Sequence, residues 1–386
     1  MTEHAAYIYL DHAATSWPKP DSVIDAVAET MRLYSANPGR GSHAMAVQAS
    51  RILFNGRKQL AKLLNIANPN DIAFTHNTTM GLNMAIKGFV KPGDHVITSS
   101  IEHNSVRRPL YNLEQKGIEV TYIDADERGN YNLDQLKASM KSNTTLVVVN
   151  HSSNLLGTIM PIKEISEIVH QHDAKLLVDG AQSVGIIPID VQQLGIDMLA
   201  FPGHKGLLGP QGTGALYISP EIDLQPLMQG GTGSQSEAPH QPLVRPDRYE
   251  AGTQNTAGIA GLTAGVAYIQ KQGVDQIYRH EWELSQRLLE GLMGIDGVQC
   301  LGPALGEPRT GIVSFYVPHI DPSEMAFILD QHYHIAVRSG FHCTPTAHAA
   351  AGTNERGAVR ASVGVQTTVK DIDALVFAVK EIIEQY

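Results

Sequence analysis

Asp197-Met-Leu-Ala-Phe-Pro-Gly-His-Lys-Gly-Leu-Leu-Gly-Pro-Gln-Gly-Thr-Gly214 decides how the rest of the chain is read. Five glycines and two prolines exclude a regular helix or a central strand, while the apolar run Met198 to Phe201 leads in as a strand. The stretch is a strand feeding a rigid loop, with Lys205 at its tip between His204 and Gly206. A lysine held where backbone can approach a ligand is a candidate Schiff-base nucleophile. Upstream, Leu176-Leu-Val-Asp179 is a short apolar strand ending in an acid, as expected where a ligand sits at the carboxyl ends of parallel strands. A strand-end acid and a loop lysine together suit pyridoxal phosphate (PLP), whose ring nitrogen needs an acidic partner and whose aldehyde needs an amine. Singly, each has an ordinary reading: a solvated loop charge and a helix cap.

Working outward, strand and helix patterns alternate. Apolar strands are predicted at Tyr7–Leu10, Ile72–Thr75, His95–Thr98, Val120–Ile123, Leu146–Val149 and Leu176–Val178. Helical spacing marks 21–34, with Asp21 or Ser22 as its cap, and Val47–Leu64, whose Arg and Lys lie opposite the apolar stripe. Such alternation predicts βαβ units around a buried sheet. Polar residues recur just past the strand ends: Thr78, His103, Asn154, Asp179, Gln182, His204 and Lys205. That is where a doubly wound fold places its ligand. The His76–Asn83 turn into a helix offers free N–H groups and two hydroxyls to a phosphate, although its threonines also read as simple caps. In the loop Asn37–His43, Arg40 and His43 are candidates for facing a site, and the loop reads equally as a surface connection. The stretch Ile259–Ile295 is strongly helical and is expected to carry a domain boundary. A small α+β unit follows, with elements at Gly297–Leu301, Gly311–Val317, Pro322–Gln331, Ile335–Arg338 and Val369–Gln385.

Composition limits the partners. With 386 residues and 42% hydrophobic content, the chain is long for one compact domain. A net charge of −10 without clustered Lys and Arg argues against nucleic acid or an anionic membrane, and for small-molecule chemistry. The two cysteines, Cys300 and Cys343, form no CxxC pair, so neither a structural metal site nor a disulfide framework is indicated. No apolar run approaches a membrane span and no targeting pattern is present, so a cytoplasmic location is expected.

Eight motifs in order resemble one family: the class V branch of PLP-dependent, aminotransferase-fold enzymes, and within it the cysteine desulfurases and selenocysteine lyases. They are Tyr9-Leu-Asp-His-Ala-Ala-Thr15, Glu102-His-Asn104, Asn154-Leu-Leu-Gly-Thr158, Val178-Asp-Gly-Ala-Gln-Ser183, Gly203-His-Lys205, Glu250-Ala-Gly-Thr-Gln-Asn255, Arg338-Ser-Gly-Phe-His-Cys343 and Arg360-Ala-Ser362. The resemblance implies fold type I: a large α/β domain with a mainly parallel seven-stranded sheet over residues 21–260, and a smaller α+β domain over 261–386. Residues 1–20 would pack with the smaller one.

Carried over by position, Lys205 would hold PLP, Asp179 would pair with its ring nitrogen, and Gln182 would bond its phenolic oxygen. His103 would stack on the ring, while Thr78, Thr79 and His204 would bind the phosphate. Thr253 would reach across from the second subunit of a homodimer. Asn154, Arg360 and His12 would hold the substrate, L-cysteine or L-selenocysteine, and Cys343 would be the nucleophile with His342 as helper. The short segment around Cys343 is similar to the second desulfurase group, in which an acceptor protein commonly takes the sulfur. Pro202, Phe341 and the Gly230–Gly233 run depart from that group. Transamination, another β-elimination, or a non-catalytic protein on the same fold are the alternatives.

Overall fold

The computed structural model describes residues 7–39, 41 and 43–385, so Arg40 lies outside the described residues. Among them, seven strands form the main sheet in the order Ile72–Thr75, Gly214–Ile218, Met198–Pro202, Lys175–Asp179, Thr144–Asn150, His95–Ser99 and Glu119–Ile123. Gly214–Ile218 runs antiparallel to both neighbours, and the other pairings are parallel. The central strands are near-continuous Val, Ile and Leu runs because helices cover both faces of the sheet. A second sheet pairs Arg338–Gly340, Ala358–Ser362, Ile312–Tyr316 and Gln299–Leu301, all antiparallel. Its apolar core is built from residues between Leu284 and Ile382, together with Leu10. Ile8–Tyr9 pairs in parallel with Ile335–Ala336, which fastens the amino-terminal segment to this smaller unit.

Several expectations are corrected. The helix Asp21–Leu33 has Pro20 at its cap position and no side-chain cap. The next helix begins at Ala44, three residues early, because the His43 ring accepts the Ala46 N–H. The single long helical stretch is two helices, Thr256–Gln272 and Val274–Met293, separated at Gly273 with φ 87°. Position 260 falls inside the first of these, whose Ile259, Leu262, Val266 and Ile269 belong to the core of the main sheet.

Arg57 is buried, although its spacing puts it on the polar face of its helix. Its guanidinium pairs with Glu250, donates to the Ile72 carbonyl at 3.2 Å and lies over the Phe74 ring. Glu250 in turn accepts the Phe74 N–H at 2.7 Å, which ties the 250–255 loop to the sheet edge. Arg57→Met leaves a buried carboxylate without its cation and is expected to cost about 3–5 kcal/mol, read as a lower urea midpoint.

Candidate active site

The carboxyl ends of the parallel strands converge on a cavity of about 110 Å³ lined by Thr78, Thr79, His103, Asn154, Asp179, Gln182, His204 and Lys205, among others. A second, smaller cavity of about 30 Å³ meets it across Lys205 and Gln182 and is lined by His12, Glu281 and Ser362, among others. The residues that sequence reasoning singled out past the strand ends are therefore brought together. Arg360, Cys343 and Thr253 line neither cavity.

Lys205 is positioned by close backbone packing. A Cβ on Gly185 (φ 88°) would lie 2.6 Å from the Gly206 carbonyl oxygen, so glycine is required where the lysine loop rests. The His204 carbonyl accepts from Ser16 N at 3.0 Å, Thr15 Oγ1 at 3.1 Å and Lys19 Nζ at 2.9 Å, pinning the loop to the amino-terminal segment. Lys19 escaped the sequence reading; its placement between Pro18 and Pro20, which hold it rigidly, was the available signal. Burial, aided by Arg360, lowers the Lys205 pKa to about 8.

Asp179 is the last residue of its strand and is buried. Its Oδ1 accepts the Ala181 N–H at 2.9 Å. Burial raises its pKa to about 6, against the opposing pull of that N–H and of Lys205. A protonated ring nitrogen would relieve that burial cost, and this is the observation by which the site fits PLP. At the other end, the helix Thr78–Phe89 starts from an Asn77 cap that takes the Met80 N–H. The Thr78 and Thr79 N–H groups find no acceptor among the described residues. Two free N–H groups, two hydroxyls and the helix dipole suit a phosphate.

His103 caps the helix Asn104–Glu114, its Nδ1 accepting the Ser105 N–H at 3.0 Å. Its other nitrogen therefore carries the proton, and burial with Lys205 nearby lowers the pKa to about 4. The ring stays neutral, as stacking on a cationic ring requires. Gln182 donates to the Ala13 carbonyl at 3.0 Å, and His12 touches Thr367 Oγ1 at 3.4 Å.

Arg360 donates from Nη1 to the Asn154 carbonyl at 2.9 Å and from Nη2 to Asp11 Oδ1 at 2.8 Å. Its buried Nε has no partner, so a donor remains for a carboxylate. Asn154 spends one amide hydrogen on the His342 carbonyl at 2.7 Å, holding the cysteine loop to the cavity rim. Cys343 is exposed, its carbonyl accepts the Asn104 N–H at 2.9 Å, and the guanidinium of Arg338 lies 3.7 Å from Sγ. His342, expected as the helper, is buried with its ring turned to His348 and the Arg338 carbonyl; the charge beside the sulfur is Arg338. Thr253 is exposed on its loop, 3.5 Å from the Asn37 amide.

Asp179 gives a pH prediction for the cofactor-free protein. Folded, it holds its proton to about pH 6; unfolded, it loses it near 3.8, so the unfolded state binds fewer protons between those values. Stability should fall as pH rises through that window, by on the order of 3 kcal/mol from this group. Urea titrations of wild type and Asp179→Asn across the window check it: the variant should lack that part of the slope.

The fold and the cavity define a class, and the comparison bears it out: the Aminotransferase class-V family matches residues 8–375, and the chain belongs to that family. Within it, a probable cysteine desulfurase of Methanothermobacter thermautotrophicus is 38% identical, over 97% of this chain and 94% of its own. A cysteine desulfurase of Escherichia coli O157:H7 is 35% identical, over 97% and 93%. The apo structure of a cysteine desulfurase from Thermococcus onnurineus superposes with a TM-score of 0.92 at 35% identity, covering 98% of this chain and 95% of that one. Among the described residues, no helix is long and apolar enough to cross a membrane, and no group of His, Cys, Asp and Glu is placed to hold a metal ion.

Proposed function

We propose that the protein is a PLP-dependent cysteine desulfurase that converts L-cysteine to L-alanine and retains the sulfur as a persulfide on Cys343. The observation that carries this reading is an exposed cysteine, beside a guanidinium, fastened by Asn104 and Asn154 to the rim of a cavity holding a desolvated lysine and a strand-end acid.

In this reading Lys205 would hold the cofactor through its aldehyde in the resting enzyme and be a free amine once the substrate amine has taken that place, Asp179 would pair with the ring nitrogen, Gln182 with the phenolic oxygen and His103 with the ring face, while Thr78, Thr79 and His204 would take the phosphate. When bound, PLP supplies an electron sink for a carbanion at the substrate Cα. The protein's residues do the rest. Arg360, through its unused N–H groups, and Asn154 orient the substrate carboxylate, with His12 on the wall behind. The Lys205 amine, lowered to about 8, takes the Cα proton and later returns a proton to the carbon skeleton. The Cys343 thiolate attacks the substrate sulfur; the carbon–sulfur bond breaks with its electron pair left on carbon, a sulfur–sulfur bond forms, and alanine leaves. Arg338 stabilises the thiolate that must attack. Exposure of Cys343 lets a sulfur-acceptor protein reach the persulfide.

We further read the chain as a homodimer whose two units divide at Gly273. The helices Asp21–Leu33 and Ala44–Leu64 pack on Thr256–Gln272 yet leave Met31 64% and Phe54 48% exposed. A second copy covering that face would explain the exposure and let Thr253 contribute across the interface. The double variant Met31→Glu with Phe54→Glu should halve the mass seen by light scattering; an unchanged dimer mass would count against this face.

Alanine and sulfide release from L-cysteine with excess thiol, beside alanine release from L-selenocysteine, tests the activity. Turnover of L-cysteine is expected. Turnover of L-selenocysteine alone would make the protein a selenocysteine lyase, and release of neither would remove the reading.

A further inference from the structure

Beneath the Cys343 loop two buried imidazoles stand in line. His342 and His348 are 2% and 0% exposed, with rings 16° from parallel. His342 Nε2 lies 3.4 Å from the Arg338 carbonyl oxygen, His342 Nδ1 lies 3.3 Å from His348 Nε2, and His348 Nδ1 lies 2.8 Å from Thr353 Oγ1. The end of this row sets its polarity. A carbonyl oxygen only accepts, so His342 Nε2 must carry a hydrogen. In a neutral ring Nδ1 then accepts, which requires the hydrogen of His348 on Nε2. His348 Nδ1 must in turn accept, and the Thr353 hydroxyl, 2.8 Å from Nδ1 and 3.4 Å from the His348 carbonyl oxygen, gives its one hydrogen to the nearer acceptor. Every group in the row is then satisfied once. The reverse order would aim a ring lone pair at the Arg338 carbonyl oxygen, two acceptors facing each other in a buried site.

What the row holds is the nucleophile's own backbone. Gly340, His342 and Cys343 all have positive φ, at 100°, 50° and 58°. Left-handed backbone at two successive side-chain-bearing residues persists only where the surroundings enforce it. The His342 ring is fastened to the strand residue whose guanidinium touches Sγ, and its carbonyl is fastened to Asn154.

We propose that His348, anchored by Thr353, is a positioning residue for Cys343: it fixes His342 in its Nε2–H form, which holds the Arg338 backbone and thereby keeps the guanidinium against the sulfur. The reading rests on Cys343 being the nucleophile of the proposed activity. Both imidazoles stay neutral near pH 7, since burial, followed for His342 by Arg360, His348 and Arg338, lowers them to about 2 and about 4. Arg338 and Arg360 are therefore the charges that face the thiol.

The test is the pH profile of iodoacetamide alkylation of Cys343 in the cofactor-loaded full chain, in a Cys300→Ala background that leaves one thiol. His348→Phe keeps a ring of similar shape without nitrogen; it is expected to slow alkylation at neutral pH about three- to tenfold. His348→Gln, whose amide can donate to His342 and accept from Thr353, is expected to restore the wild-type profile. A wild-type profile in the Phe variant, or a Gln variant as slow as the Phe variant, would overturn the proposal. If His348→Phe does not fold, Thr353→Val, which removes the hydroxyl alone, must slow alkylation in the same way, and an unchanged rate overturns the proposal equally. Alkylation needs neither L-cysteine nor sulfur transfer, so a protein inactive toward L-cysteine leaves this test standing.

Discussion

Lys205→Ala is expected to abolish the near-visible absorbance of bound PLP and to lower alanine release from L-cysteine by at least about 10³, the range for a positioned general base. Lys205 is the one lysine lining either cavity among the described residues. Its pKa is lowered to about 8 from 10.5, chiefly by burial, so a useful fraction is free amine near neutral pH. Lys19 is the competing candidate, because burial lowers it to about 8 as well. Its Nζ, however, is spent on Ser16 Oγ at 2.7 Å and the His204 carbonyl at 2.9 Å, and it lines neither cavity. Lys19→Ala should therefore keep the absorbance, with the lysine loop loosened. An unchanged spectrum in Lys205→Ala would remove the PLP assignment together with the chemistry built on it.

The difference between those two lysines shows where the sequence is legible. Lys205 stands out because glycines frame it at the end of an apolar strand, and Asp179 because it terminates one; both signals are local. The buried parallel strands were readable for the same reason, being runs of Val, Ile and Leu. The strand Gly214–Ile218 was missed although Ala-Leu-Tyr-Ile is as apolar as its neighbours, because the preceding glycines directed attention to a loop. Ala358–Ser362 was missed for a deeper reason. Arg360 at its centre interrupts the apolar pattern of a buried strand, and its 1% exposure is made possible by Asp11 and Asn154, 349 and 206 positions away. Arg57 hides in the same way, its partner Glu250 lying 193 positions off. The His342 ring could not be placed from sequence because the left-handed backbone at 342 and 343 carries no glycine signal. Spacing therefore locates groups that meet at strand ends, whereas burial of charge and ring orientation depend on partners that only the folded chain brings near.

Cys343→Ala is expected to lower alanine release from L-cysteine by at least about a hundredfold while leaving PLP absorbance intact, since in the proposed reaction the thiol would accept the sulfur and it does not line the cavity proposed for the cofactor. Without that acceptor the carbon–sulfur bond has no nucleophile at the sulfur end, and water cannot take its place because sulfur must be received as a formally neutral atom. The carbon–selenium bond is weaker and its selenium a softer electrophile, so the excess thiol of the assay can receive selenium in place of Cys343 with the electron pair left on carbon, and the same variant should retain alanine release from L-selenocysteine to within about tenfold. The two substrates thus separate the role of Cys343 from that of the cavity. Loss with cysteine and retention with selenocysteine assign Cys343 as the sulfur carrier. Equal loss with both, at unchanged absorbance, would mean that Cys343 also shapes the substrate site, contrary to its exposed position. Undiminished cysteine turnover would leave a PLP-dependent β-lyase in which Lys205 and Arg360 act without a persulfide, and the placement of Arg338 against Sγ would then need another explanation.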